Sequence, residues 1–198
     1  MSRKSMAKGP DPHPQLRTFI AVKFPLTAEL RDVCVELESM GRPIKPIAQD
    51  GIHVTLKFLG DTKQADVPAI GQTIHDVAAG KAAFEAELMG LGAFPNVRRP
   101  SVVWAGLAGA EMLSTIASEL SKRLQRLGYE AEKRPFRPHL TLARVRNQPP
   151  PPELSELIEA FASTTFGSVR IETLVFFQSE LRRDGPQYTV LSTSDLSS

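Results

Sequence analysis

A single cysteine, Cys34, stands among the 198 residues, which excludes an intrachain disulfide and any multi-cysteine metal cage. It falls on an apolar helical stripe, where a buried filler is expected. Charge of one sign is scarce as well. Lys and Arg number 24 against 22 Asp and Glu, and the net +2 gives no global field for coating nucleic acid. No apolar run reaches transmembrane length, and the polar, basic, proline-containing stretch through Gln15 lacks a signal-peptide core. The expectation is a cytoplasmic protein without a membrane partner, with a frayed leader over 1–15 and one domain over 16–198. No Gly-x-Ser-x-Gly turn occurs, Cys34 has no histidine beside it, and no Cys, His or carboxylate cluster has metal-ligand spacing near the motifs described next. Nucleophilic and zinc chemistry therefore lack support.

What the chain has instead is repetition. Gly51-Ile52-His53-Val54-Thr55-Leu56-Lys57-Phe58-Leu59-Gly60 shares its core with Arg137-Pro138-His139-Leu140-Thr141-Leu142-Ala143: His-apolar-Thr-apolar. Both copies alternate polar and apolar residues, the period of a strand with one buried face. Val54, Leu56, Phe58, Leu140 and Leu142 are predicted to face a core. His53 and Thr55 then share the open face, roughly 7 Å apart along the strand, as do His139 and Thr141. Only four histidines exist, so two in matching contexts outweigh a lone His-x-Thr, which would be an ordinary strand pair. The others are unremarkable: His13 lies in the leader and His75 beside a helix's apolar stripe.

The surrounding pattern predicts an α+β fold. Arg17 to Phe24 reads as a strand, and Thr27 caps a helix carrying Leu30, Val33, Cys34 and Leu37, closed by Gly41. The segment through Ile47 reads as irregular, and Gly60 as the end of the first histidine strand. Val67, Ile70, Ile74 and Val77 mark a helix with Pro68 in its first turn. Strands follow at Phe84 to Phe94 and Ser101 to Leu107, with Trp104 either packed or lining a cleft. Leu113 through Leu127 keep helical spacing up to Gly128. After the second motif come a proline run from Gln148, a short helix through Phe161, and strands at Val169 to Gln178 and Gln187 to Ser192, the last two joined through Asp184-Gly185-Pro186. The order reads as an internal duplication, with one motif in each half and the halves as lobes.

Two imidazoles and two hydroxyls suit general acid–base catalysis, one ring neutral and the other protonated near neutral pH. Threonine hydroxyls can donate to oxygens that gain charge at a five-coordinate phosphorus. Phosphodiester hydrolysis fits the set, with arginines supplying charge. Lys122, Arg123, Arg126, Lys133, Arg134, Arg137, Arg144 and Arg146 crowd around the second motif. Arg134 and Arg137, just before His139, are candidates for drawing in an anion.

The paired motifs resemble the signature of the 2H phosphoesterases. Leu16-Arg17-Thr18-Phe19-Ile20-Ala21, Phe58-Leu59-Gly60, Val103-Trp104-Ala105-Gly106, Arg134-Pro135-Phe136-Arg137-Pro138-His139 and Pro186-Gln187-Tyr188-Thr189-Val190-Leu191 narrow the likeness to RNA 2',3'-cyclic phosphodiesterases, also called the 2'-5' RNA ligase family. The resemblance implies two lobes about a pseudo-twofold axis, each a mainly antiparallel sheet with helices outside, and a central cleft. It implies metal-free opening of an RNA 2',3'-cyclic phosphate to a 2'-phosphomonoester; the expected partners are RNA or nucleotide ends bearing that group, with no cofactor and a monomeric protein. By the same resemblance His53 donates a proton to the departing ribose oxygen and His139 activates water. Thr55 and Thr141 hold the non-bridging oxygens, Arg137 meets phosphate and Phe19 stacks on a base. Spacing alone leaves donor and acceptor unassigned. Two other readings stay open: an RNA- or nucleotide-binding module with incidental activity, and ligation by the reverse reaction.

Overall fold

The computed structural model describes residues 15–132, 134–146, 149–182 and 185–197. The leader through residue 14 with His13, Lys133, Gln148 and Asp184 lie outside the described residues. Among the described residues nine strands and four α-helices follow one another as β1 (Gln15–Val22), α1 (Ala28–Ser39), β2 (Ile44–Pro46), β3 (Val54–Lys63), α2 (Val67–Ala78), β4 (Phe84–Phe94), β5 (Val102–Ala108), α3 (Glu111–Gln125), β6 (His139–Val145), α4 (Pro152–Ala160), β7 (Thr165–Ile171), β8 (Thr173–Leu181) and β9 (Pro186–Asp195).

The strands form two sheets, ordered β3-β1-β8-β9 and β2-β6-β5-β4-β7, and every pairing is antiparallel. The expected two-lobed α+β fold is therefore present, but the lobes are not the chain halves. Strand β4 leaves the first half for the second sheet, and β8 and β9 return from the second half to the first. Matching β3 to β6, β1 to β5, β8 to β4 and β9 to β7 superposes the two orders, with β2 added at one edge. The duplication is real, and its two copies exchange their last strands. Such an exchange ties the lobes together through backbone hydrogen bonds, which no strand-by-strand pattern announces.

Local chemistry accounts for most boundaries. Thr27 caps α1, its hydroxyl accepting from the Leu30 amide at 3.4 Å, and Leu30, Val33, Cys34 and Leu37 are its buried stripe. Pro68 sits in the first turn of α2, where its missing N–H costs nothing. The structure departs from the sequence pattern at four places. Residues 44–46 form the short edge strand β2 despite Pro46. Gly60, at φ 71°, bends β3 without ending it. Leu127 lies beyond α3 and is 40% exposed. The run from Val169 to Gln178 is two strands in different sheets, divided at Glu172.

One core spans both lobes, with Ile20, Leu30, Ile70, Ile74, Leu88, Leu113, Ile116, Leu120, Leu124 and Phe176 wholly buried. Helices α2 and α3 pack against each other, α2 also on β8 and β9 and α3 on β3. Helix α1 covers β2, β6 and β7, and α4 covers β4. The first sheet is buried on its other face too, where Phe19, Ala21, Val175 and Phe177 form a small separate cluster against Tyr188. That explains the unbroken apolar ends of β1 and β8: strands covered on both faces do not alternate. The cluster floors the cleft, and β3 and β6 meet across it.

Candidate active site

A pocket of about 100 Å³ is lined by Ile47, Gly51, His53, Thr55, His139, Thr141, Arg144 and Tyr188. All four motif residues thus share one space, as the two strand patterns require.

The two imidazoles are held alike. His53 Nδ1 lies 2.8 Å from the Gly51 carbonyl and His139 Nδ1 lies 2.6 Å from the Arg137 carbonyl, each two residues upstream. A carbonyl only accepts, so Nδ1 carries the proton in both rings and Nε2 is left for chemistry, as a lone pair or, when charged, as an acid. Aromatic rings hold each imidazole in place. Phe19 stacks on His53 at 4.8 Å, and Tyr188 meets it edge-on at 5.3 Å. Phe94 meets His139 edge-on at 5.1 Å, with Trp104 at 6.4 Å. Trp104 is half-buried and fits because Gly92 lies beneath it: a Cβ there would fall within the indole ring.

Burial pushes His53 below the usual imidazole range. The Gly51 hydrogen bond resists this, while Lys23 and a positive His139 add to it. Burial therefore favours the neutral ring, and a neighbouring anion would favour its proton.

Arg144 and Tyr188 are site residues that pattern reading left out. Strict alternation puts Arg144, three residues past Thr141, on the opposite face. In β6 the register runs Trp104 to Thr141 and Val103 to Ala143, leaving Leu142 unpaired in a bulge. Leu142 and Ala143 are both buried, and Arg144 returns exposed to the threonine's face. Its charge, with that of Arg17, opposes the upward push of burial on the Tyr188 hydroxyl. The signal was present only as two consecutive small or apolar residues before the arginine.

The other candidates are placed differently. The Arg137 side chain is exposed, and what reaches the site is its carbonyl. Arg134 lines a groove of about 990 Å³ beside Lys57 and Tyr129, which shares no residue with the histidine pocket. Phe19 is 3% exposed and its ring lies against His53, so no face remains for a base, and the sequence expectation for it is corrected. Phe58, expected in the core, is 43% exposed, with the Arg17 guanidinium 4.9 Å from its ring centroid. Lys57 is buried in its stead, donating to the Glu130 carbonyl and 3.7 Å from Glu132. Among the described residues no group of three or more His, Cys, Asp or Glu could hold a metal ion, and no helix is long and apolar enough to cross a membrane.

A family model described as the 2'-5' RNA ligase superfamily matches residues 28–183. This chain belongs to that superfamily. Curated relatives named RNA 2',3'-cyclic phosphodiesterase include one from Aeropyrum pernix, 36% identical over 83% of this chain and 91% of its own length. Another, from Thermus thermophilus, is 35% identical over 91% of this chain and 90% of its own. A Thermus thermophilus crystal structure superposes with a TM-score of 0.73 at 31% identity, covering 91% of this chain and 98% of that one. E. coli LigT in complex with 3'-AMP gives 0.72 at 25% identity, covering 93% and 100%. Both structures superpose on the two-sheet architecture described above.

Proposed function

We propose that the protein hydrolyses RNA 2',3'-cyclic phosphate ends to 2'-phosphomonoesters, without a metal, by acid–base catalysis between His53 and His139. The names of the relatives support the substrate class. The observation that carries the mechanism is the matched pair of Nδ1–carbonyl bonds, which leaves two Nε2 atoms for one pocket.

Water attacks phosphorus as His139 Nε2 takes its proton. The P–O3' bond breaks, and His53 Nε2–H protonates O3', leaving phosphate on O2'. Thr55 and Thr141 donate hydroxyls to the non-bridging oxygens, and Arg144 neutralises the charge that gathers there. Acid, base and charge stabilisation all come from side chains, so no step calls for a Lewis acid. The roles of His53 as donor and His139 as acceptor come from the family resemblance. The lowered proton affinity of His53 fits the donor role only once the anionic substrate is bound.

The test offers defined RNA with a 2',3'-cyclic end, in EDTA, and locates the product phosphate. A 2'-phosphate is expected. A 3'-phosphate, or loss of turnover restored by zinc or manganese, overturns the mechanism, and tight binding without turnover would favour the binding-module reading. Adding an RNA with a 5'-hydroxyl tests the reverse reaction, for which the same residues would serve.

A further inference from the structure

The histidine pocket opens on its His53 side into a second space. A groove of about 670 Å³ shares Ile47, Gly51, His53 and Tyr188 with the pocket, whereas His139, Thr141 and Arg144 line the pocket alone. Its walls are the segment after β1, strand β2 with the turn that follows, and the β8–β9 hairpin. Lys45 Nζ on β2 comes close to the hairpin, 3.6 Å from where a Cβ on Gly185 would sit. Among the described residues, Lys23, Lys45 and Arg182 line this space together with Asp50. Arg182 is paired with Glu180 at 3.2 Å, but both side chains are about half exposed, and such a surface pair yields to a phosphate at little cost.

Reaction chemistry says what must lie there. The departing O3' is never released, because it stays on the ribose that carries O2'. The proton donor therefore faces that ribose, and water arrives in line from the opposite side, at the acceptor. With His53 as donor, the nucleoside and everything 5' of it leave the pocket past His53. The pocket itself is well below the roughly 300–1,000 Å³ of sites that enclose a drug-sized ligand, whereas the groove falls within that range.

We propose that the groove is the track for the strand preceding the cyclic end, with Lys23, Lys45 and Arg182 meeting its backbone phosphates. The preferred substrate is then an oligonucleotide end and not a free cyclic mononucleotide. This rests on the donor role given to His53 above.

The experiment compares a trinucleotide bearing a 2',3'-cyclic phosphate with the cyclic mononucleotide of the same terminal base. For the unaltered protein, kcat/KM should favour the trinucleotide by about 10-fold or more, the scale of a charge-assisted contact. Its logarithmic salt slope should be steeper by about 0.7 per phosphate contacted. In a Lys45→Gln, Arg182→Gln double variant the trinucleotide-to-mononucleotide ratio should fall towards one. A ratio near one in the unaltered protein, or an undiminished ratio in a folded variant, overturns the track. Should the variant fail to fold, the ratio and salt slope of the unaltered protein decide alone. Calorimetric titration with the 2'-phosphate forms of the same two molecules separates the groove from the reaction. Salt-sensitive preference for the trinucleotide without turnover would keep the groove and sink the hydrolysis, and equal binding of both would sink the groove whatever the turnover.

Discussion

Leu56 and Leu142 occupy the same place in the two copies: each is the unpaired residue of a bulge immediately after a motif threonine. Thr55 pairs with Ala21 and Lys57 with Ile20, as Thr141 pairs with Trp104 and Ala143 with Val103. Each bulge buries two consecutive residues and returns the third to the threonine's face. The residues so returned are Phe58 and Arg144, and Arg17 lies over the Phe58 ring. The duplicated backbone thus carries unlike groups on its two sides.

That placement predicts unequal effects for the two arginines of the second motif. Arg144→Gln should lower kcat/KM for a cyclic-ended RNA by about 10- to 100-fold, the scale of a hydrogen bond to a charged group. Arg137→Ala should cost far less, because the Arg137 carbonyl, which the variant keeps, is what orients His139. Steady-state kinetics of both variants check this, and equal losses would refute it.

Removing either imidazole should cost at least about 10²-fold in rate, the usual scale for a general acid or base. His53→Ala and His139→Ala combined should cost less than the product of the two losses, because the pair acts as a unit. A substrate whose leaving oxygen needs no proton should rescue His53→Ala and leave His139→Ala inactive. Rescue of His139→Ala instead would reverse the assigned roles.

The pH profile carries the sign of the His53 shift. Burial and the nearby Lys23 charge lower its proton affinity, so as an acid it loses its proton at a lower pH than an ordinary histidine. The basic limb of kcat/KM, a property of the free enzyme, should therefore lie below the basic limb of kcat, where bound phosphate restores the proton. Lys23→Gln removes one lowering charge and should move the basic limb of kcat/KM to higher pH. Movement of the acidic limb in its place would identify His53 as the base.

Gly92→Ala should destabilise the protein by about 1–3 kcal/mol, the cost of forcing a methyl into packed space. The displaced Trp104 indole borders His139, so activity should fall with stability. Thermal unfolding checks the stability, fluorescence of Trp104, the only tryptophan, checks the indole's displacement, and steady-state kinetics check the activity.

The amino-acid pattern alone placed four helices, most strands and the two His-x-Thr faces, because capping, period and turn chemistry act within a few residues of each other. It reached His53, Thr55, His139 and Thr141 for the same reason: alternation holds from each histidine to its threonine. It holds through Leu56 and Leu142, both buried as expected, and breaks just after them, where pairing with a neighbouring strand forces an extra residue and shifts the side chains that follow. Phe58, expected in the core, comes out exposed there, and the places of Lys57 and Arg144 do not follow from alternation. The stacking of Phe19 under His53, the approach of Tyr188 and the split of the run from 169 to 178 between two sheets were likewise decided by tertiary structure. Local rules specify which face a residue takes along its own strand. Which strand lies beside it, and hence what shares its pocket, is decided by contacts between residues far apart in the chain.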